Sequence, residues 1–464
     1  MKRIAIIGGG LSGLSAAYQL ARDAQSDFTL FEAAPRLGGV IETVHRDGFT
    51  IECGPDSWVT EKPWARELAV ELGLESEIIP SNDHQRRTYI LRNNQLLPMP
   101  DSMRMMVPAD LDAIADSPLF TPEARLAYQR EPSRAQELKA SALKEDADES
   151  VASFTRRHFG DEVTRTLAGP LLAGVFGGDI ESLSVRAVMP AFVKMEREYG
   201  SLVLAVQARA RQSANSVFTN LRSGLGTLID RIAASLPPSS VRLSQPVIAL
   251  SRHGSQWRIR TSSADLAFDS VILATPAPTT RSLLRALDDH PGSRFDPLLA
   301  IDSTSAIIAA FAFLPRDARH LRIPPGFGFL VPPSPDATSQ LLACTFVDQK
   351  FSHRVPEGGV LLRAFFGGRA AQVQLHQSDN AVAALALQRL SEALGPLPTP
   401  HITIVRRLPH SLPQYGIGHL ARMARLESLV KEFPGLHLAG NAYYGVGLPD
   451  MVRIGRSAAR AAQS

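Results

Sequence analysis

An α/β (α+β) fold built around a Rossmann-like nucleotide-binding sheet is predicted by three observations in this 464-residue sequence. A β-branched run at residues 3–7, "RIAII", hands over to Gly8-Gly9-Gly10-Leu11-Ser12-Gly13 and then to a helical pattern. A second strand-like run, "FTLFEA" at 28–33, places Glu32 about 20 residues beyond that loop. The far end, "LHLAGNAYYGVGLPDMVRIGRSAARAA", reads again as strand, glycine loop and helix, so both ends of the chain are expected to build one nucleotide site. A chain of this length exceeds one core. We assign 1–85, 213–295 and 401–464 to a discontinuous nucleotide-binding domain, 86–101 and 296–400 to an inserted mixed-sheet domain, and 102–212 to a helical lobe.

The glycines of the first loop have separate tasks. Gly8 permits the tight turn out of the strand, Gly10 leaves backbone bare for a pyrophosphate, and Gly13 lets helix and strand approach closely. The helix that follows carries Leu14, Ala17 and Leu20 on one face, and its N-terminus offers unpaired N–H groups to phosphate. Glycine turns of this kind also occur without a ligand, so the loop alone leaves both readings open. Glu32 stands where an acid accepts ribose hydroxyls, although a surface glutamate at a strand end fits the same spacing. "APRLGG" then adds Arg36, Gly38 and Gly39, an R-x-G-G that resembles the extended fingerprint of flavin-binding Rossmann proteins. Together the pieces point to FAD.

Farther along, "ELAVELGL" at 67–74 is an amphipathic helix ending at a glycine. Residues from about 102 to 211 read as mostly helical, and the charged stretch at 130–150 reads as a flexible, solvent-facing connector. "FTNLRSGLGTLIDRIAASL" places a glycine turn before a helix, and three strand-like runs follow between 241 and 277. Strands dominate 296–400, with a helix near "NAVAALALQRLSEAL", and the apolar run 305–314 reads as a buried strand. In the last segment Gly455, Ser457, Ala458 and Ala459 are small enough for close packing, and a helix beginning near Leu448 would aim its N-terminus at the ligand.

Composition narrows the function. A net charge of +3 gives no argument for nucleic acid. Two cysteines, Cys53 and Cys344, exclude a disulfide framework and a four-thiolate zinc site, and no metal ligand set is expected. No apolar run reaches the ~20 residues needed to cross a bilayer, and no leader is visible, so a cytoplasmic protein is expected. There is no H-E-x-x-H, G-x-S-x-G or C-x-x-C, so no obligatory side-chain triad is expected.

Nearly end to end, the sequence resembles the protoporphyrinogen/coproporphyrinogen oxidase family of the monoamine oxidase-like flavoproteins. The stretches that carry this are "GFTIECGPDS", "LPMP", "GVFGGDIESLSVRAVMP", "SLPQYGIGH" and "GNAYYGVGLPD", in that order, besides "FEAAPRLGG" and "VILATPA". The resemblance implies a Rossmann-like FAD-binding domain, a mixed-sheet substrate domain and a helical lobe. It places Gly8 to Gly13, Glu32, Ala33, Arg36, Gly38 and Gly39 at the cofactor, with Gly54, Pro55, Asp56, Ser57 and Val247. Val446, Gly447 and Leu448 match its flavin-ring end. Relatives often carry tryptophan where Leu408 stands, which alters packing beside the ring.

The implied reaction is a six-electron oxidation of a porphyrinogen to a porphyrin in haem biosynthesis, with oxygen as acceptor and flavin N5 as the hydride acceptor. Coproporphyrinogen III is favoured, with protoporphyrinogen IX as alternative. Lys62 matches a basic position near a propionate, and Gly174 and Gly178 match a glycine-rich edge that lets the macrocycle lie close to backbone. A solvated lysine and a helix-ending turn fit the same residues. Ferrochelatase, a second copy of the chain and a peripheral membrane surface are the partners the resemblance allows. More distant alternatives are an amine or carotenoid oxidase and a non-enzymatic module like the prenyl-protein chaperones.

Overall fold

Strand β1 (Lys2–Ile7) is buried on both faces and sorts its side chains accordingly. Ile4 and Ile6 join one core with Leu14, Ala17 and Leu20 of helix α1 (Leu11–Asp23), while Ala5 and Ile7 join another with Phe31, Trp257 and Val271. That two-sided burial is why the run is continuously apolar rather than alternating. β1 pairs in parallel with β2 (Ser26–Phe31) and with Ser270–Leu273, and the sheet is completed by Val241–Arg242 and Leu436–Leu438, all parallel. The computed structural model describes residues 1–144, 146–209, 216–287, 293–334 and 337–464. Glu145 of the charged stretch, the segment 210–215 at the predicted end of the helical lobe, 288–292, and 335–336 lie outside the described residues.

One face of this sheet is covered by α1 and the C-terminal helix (Leu448–Gln463). A Cβ on Gly455 would sit 2.1 Å from the Ser12 carbonyl oxygen, so the two helices touch backbone to backbone. The small residues of the last segment thus serve first to seat this helix on α1, and the Ser270 hydroxyl also reaches the Ala462 carbonyl at 3.2 Å. The other face carries an antiparallel meander, Val247–His253, Gln256–Thr261 and Asp265–Phe268, with Trp257 fully buried beneath it.

A seven-stranded mixed sheet forms the second layer. Its order is Ile402–Pro413, Ser303–Phe313, Val360–Phe366, Ala343–Phe346, Gly328–Leu330, Thr88–Arg92 and Gln95–Pro98. The predicted buried strand Ser303–Phe313 is interior to it, paired on both edges. The strand Ile402–Pro413, grouped with the nucleotide-binding segment on sequence alone, pairs along nearly its whole length with Ser303–Phe313 and so belongs to this sheet.

The helical lobe has its own core around Tyr128, Phe154 and Phe159. Here the expected flexible connector is corrected. Residues 132–140 form helical turns, Leu138 is fully buried, and Glu131 is a centre of order. The Glu131 carboxylate accepts the Leu202 N–H at 2.7 Å and faces His158 Nδ1 at 2.8 Å. His158 Nε2 lies 3.0 Å from Glu196, which also pairs with Arg157. Charge density on the sequence suggested solvent, but mutual pairing lets these groups be buried. Among the described residues no helix is long and apolar enough to cross a membrane.

Candidate active site

Two clefts border the seven-stranded sheet, one reaching His410 and Ser411 of its first strand and the other Thr304 of its second. The first, about 390 Å³, opens where β1 gives way to α1 and is lined by Gly8, Gly10, Leu11, Ser12, Glu32, Ala33, Gly38, Gly39 and Val247. The three glycine tasks can be checked one by one. Gly8 has φ +109°, and a Cβ there would lie 2.5 Å from the Ala274 oxygen. A Cβ on Gly13 would lie 1.9 Å from the Gly8 oxygen, so close packing of strand and helix depends on it. A Cβ on Gly10 would meet nothing within 4 Å: the space in front of it is open cleft.

The α1 N-terminus at Gly10 has no side-chain cap. The Ser12 hydroxyl is buried, lines the cleft and has no hydrogen-bond partner among the described residues. An uncapped helix N-terminus, an orphaned hydroxyl and a backbone without side chains together fit a phosphate-bearing group. Gly9 does not line the cleft. Its N–H is donated to Glu32 Oε2 at 2.6 Å, while Glu32 Oε1 accepts the Ala34 N–H at 2.7 Å. The glutamate thereby ties the second strand to the loop while its carboxylate stays at the cleft wall.

Other residues singled out on sequence have different surroundings. The Arg36 guanidinium donates to the carbonyls of Leu37, Ile41 and Gly39, at 3.1, 3.0 and 2.6 Å, so it folds its own loop. That loop is docked by the Gly38 N–H on the Gly9 carbonyl at 2.8 Å. Gly54 to Ser57 lie outside the lining of this cleft. A Cβ on Gly54 would sit 1.9 Å from the Val40 oxygen, and Pro55 is half-buried. Asp56 is paired with Lys350 at 3.0 Å and Arg363 at 3.2 Å, and the Ser57 hydroxyl donates to it at 2.8 Å. Burial alone would raise the Asp56 carboxyl, but the two cations hold it well below the ordinary carboxylate range.

Leu408 is buried in the strand Ile402–Pro413 opposite Ala306, away from the cleft lining. Val446, Gly447 and Leu448 bridge two cores: Val446 packs on the helical lobe, Gly447 precedes the C-terminal helix, and Leu448 joins the core under α1. Sequence reasoning overlooked the opposite wall of the cleft, formed by Thr275, Pro276, His410, Ser411, Asn441 and Met451. Within "VILATPA" the strand ends at Leu273, and the Ala274, Thr275 and Pro276 that follow it line the cleft.

The second cleft, about 500 Å³, lies between the helical lobe and the seven-stranded sheet. Gly178 lines it and Gly174 does not; Gly174 is exposed, and a Cβ there would meet nothing within 4 Å. A Cβ on Gly178 would lie 1.6 Å from Gln414 Oε1, so that glycine makes room for Gln414, whose amide donates to the Phe176 carbonyl at 2.6 Å. Asp179 also lines this cleft. Ser411 lines the first cleft, and its neighbour Leu412 would meet a Cβ of Gly177, a residue of the second cleft, at 2.7 Å. Tyr415 ties the corner down. Its hydroxyl donates to the Asn441 carbonyl at 2.6 Å and accepts the Gly445 N–H at 2.9 Å, and its ring stacks on His419 at 4.0 Å.

Lys62 is committed within the protein, its Nζ 2.6 Å from Asp450 in the first turn of the C-terminal helix.

Comparison with known proteins agrees with this geometry. The family model for flavin containing amine oxidoreductases matches residues 11–463. The coproporphyrinogen III oxidase of Bacillus subtilis is 32% identical, over 98% of this chain and 97% of its own. The mitochondrial protoporphyrinogen oxidase of Nicotiana tabacum is 29% identical, over 99% and 94%. Among solved structures, one from Exiguobacterium sp. 255-15 superposes with a TM-score of 0.87 at 33% identity, covering 100% of this chain and 98% of that one. Cyclohexylamine oxidase from Brevibacterium oxydans shares the fold at a TM-score of 0.71 and 17% identity, over 100% and 98%. An uncapped glycine cradle at one end of the chain, closed by a helix from the other, and similarity that runs the whole length lead to one conclusion: the chain belongs to the family of flavin-containing amine oxidoreductases.

Proposed function

We propose that this protein is an FAD- and oxygen-dependent porphyrinogen oxidase that takes coproporphyrinogen III to coproporphyrin III. The observation that carries the reading is the bare glycine cradle of the first cleft, with a second cleft of about 500 Å³ that reaches Thr304 on the neighbouring strand of the sheet carrying Ser411. The choice of substrate is supported by the names of the relatives, since coproporphyrinogen III oxidases match at 32% and 31% identity and a protoporphyrinogen oxidase at 29%. FAD, when bound, supplies the two-electron oxidation, which the chain need only position. Gly8 to Gly13 and the α1 N-terminus would hold the diphosphate, Glu32 the ribose, and Val247 the adenine side. The protein's own work is to place and shield the reacting groups.

The test is direct. Purified protein should be yellow, retain FAD on gel filtration, and convert coproporphyrinogen III to its fluorescent porphyrin faster than protoporphyrinogen IX, consuming oxygen. A colourless protein that takes up no FAD, or one that oxidises amines and neither porphyrinogen, would reject the reading.

A further inference from the structure

Resting on the porphyrinogen reading, we propose that Arg165 and Arg369 form a two-armed carboxylate clamp at the mouth of the second cleft and set its preference for propionate-bearing macrocycles. The cation that the sequence offered for this task, Lys62, is already engaged by Asp450. Arg165 and Arg369 both line the second cleft. They stand on opposite walls: Arg165 on the π-helical turn Thr164–Ala168 of the helical lobe, Arg369 in the first turn of the helix Gly368–Gln374 that follows the sheet strand Val360–Phe366.

Neither guanidinium makes a hydrogen bond or ion pair among the described residues. Other arginines are committed: Arg363 to Asp56, Arg354 to Glu52, and Arg156 to Asp161 and Glu181. Both free side chains are exposed, so holding them at the mouth requires no desolvation before a ligand arrives. The same cleft is lined by apolar side chains, among them Pro170, Ile180, Leu341 and Leu342. A flat apolar ring fits that floor, and a planar guanidinium fork matches a carboxylate in two parallel hydrogen bonds.

Two acids share the lining. The Glu181 carboxylate is taken by Arg156 at 2.7 Å. Asp179 accepts the Glu181 N–H at 3.0 Å, which shapes its own turn. The acids thus stay on the helical-lobe wall and leave the two arms free. Arg165 stands in a single π-helical turn, a feature frequent at functional sites.

The experiment uses the FAD-loaded protein and coproporphyrin III as an equilibrium probe, read by porphyrin fluorescence. Turnover is therefore not needed for the answer. Arg165→Gln and Arg369→Gln should each raise Kd about tenfold, the double variant should flatten the salt dependence of Kd, and Arg165→Lys should recover part of the loss. Flavin absorbance and Tm should stay at wild-type values. Arg316→Gln, which removes the same charge from an exposed site, should leave Kd unchanged. With coproporphyrinogen III, KM should rise while kcat stays within about twofold. A double variant within about twofold of wild type in Kd, or an equal loss in Arg316→Gln, overturns the clamp. If wild type turns over porphyrinogens and the arginine variants match it, the clamp falls and the function stands. If wild type binds coproporphyrin III through the arginines yet oxidises neither porphyrinogen, the function falls and the clamp stands.

Discussion

Two neighbouring segments of the nucleotide-binding domain are built in opposite ways. At Gly8 to Gly13 the structure depends on side chains that are missing: one glycine turns the chain, one admits a helix, one keeps a space empty. At Gly54 to Ser57 it depends on side chains brought from far away. Lys350 and Arg363, almost three hundred positions downstream, close on Asp56, while Asn220 donates to the Asp56 carbonyl. The first design is encoded locally and survives being read as a string. The second exists only when the sheet domain has docked.

The comparison is broken most severely at Gly13. Gly13→Val places a methine carbon where the Gly8 carbonyl oxygen already sits, with the C-terminal helix packed behind the same turn. We expect no soluble native protein, checked by soluble yield and near-ultraviolet circular dichroism. Asp56→Asn comes next. It leaves the Lys350 and Arg363 cations buried without their counter-charge, a loss of about 3–5 kcal/mol by analogy with broken buried pairs. Thermal melting of the flavin-free protein measures it. The sign with pH follows from the depressed carboxyl: its contribution is complete above the ordinary aspartate range and is lost only as pH falls through the lower native value.

Gly10→Val sharpens the contrast from the other side. The added carbon meets only open cleft, so the flavin-free protein should melt like wild type and yet fail to retain flavin. A variant that still bound flavin normally would remove the diphosphate from that loop. The same contrast explains what the sequence disclosed. β1, β2, the C-terminal helix and the interior strand Ser303–Phe313 were legible because their apolar periodicity is local. The strand Ile402–Pro413 was placed in the wrong company, since nothing in its own residues names its partner sheet. Arg36 looked like a phosphate ligand because a free cation beside glycines has no visible acceptor in a string; the acceptors are carbonyls that come within reach only once the loop closes.

The helical lobe is a third construction, buried charge within a single lobe, and its signature is in pH. Burial would lower the His158 pKa, but Glu131 and Glu196 outweigh it and hold it above the ordinary 6.5. Its contribution is therefore full below that value and is lost as pH rises through the higher native one. Glu196 runs the other way: burial would raise it, His158 and Arg157 lower it below 4.5, and its contribution disappears only as pH falls through that lower value. Lobe stability should be greatest between the two and decline toward alkaline pH. His158→Gln should flatten the alkaline decline in Tm, and an unchanged slope would assign it to other groups.

The smallest effect belongs to Lys62, and it decides between two roles for one cation. Its side chain is 43% exposed and its partner Asp450 only 7%. Such half-wet pairs contribute about 0–1 kcal/mol, and Asp450 keeps both the favourable helix N-terminus and Arg453 at 3.8 Å when the lysine is removed. Lys62→Ala should therefore shift Tm slightly and leave coproporphyrin affinity within about twofold of wild type. Asp450→Ala should do more, because a Cβ on Gly445 would lie 2.4 Å from the Asp450 carboxyl carbon: the turn before the C-terminal helix is moulded on that side chain. A double-mutant cycle in Tm separates the pair energy from the shape of the turn. A large rise in coproporphyrin Kd for Lys62→Ala would instead mean that Lys62 leaves Asp450 when substrate arrives, and the carboxylate clamp would then have a third arm on the flavin side of the molecule.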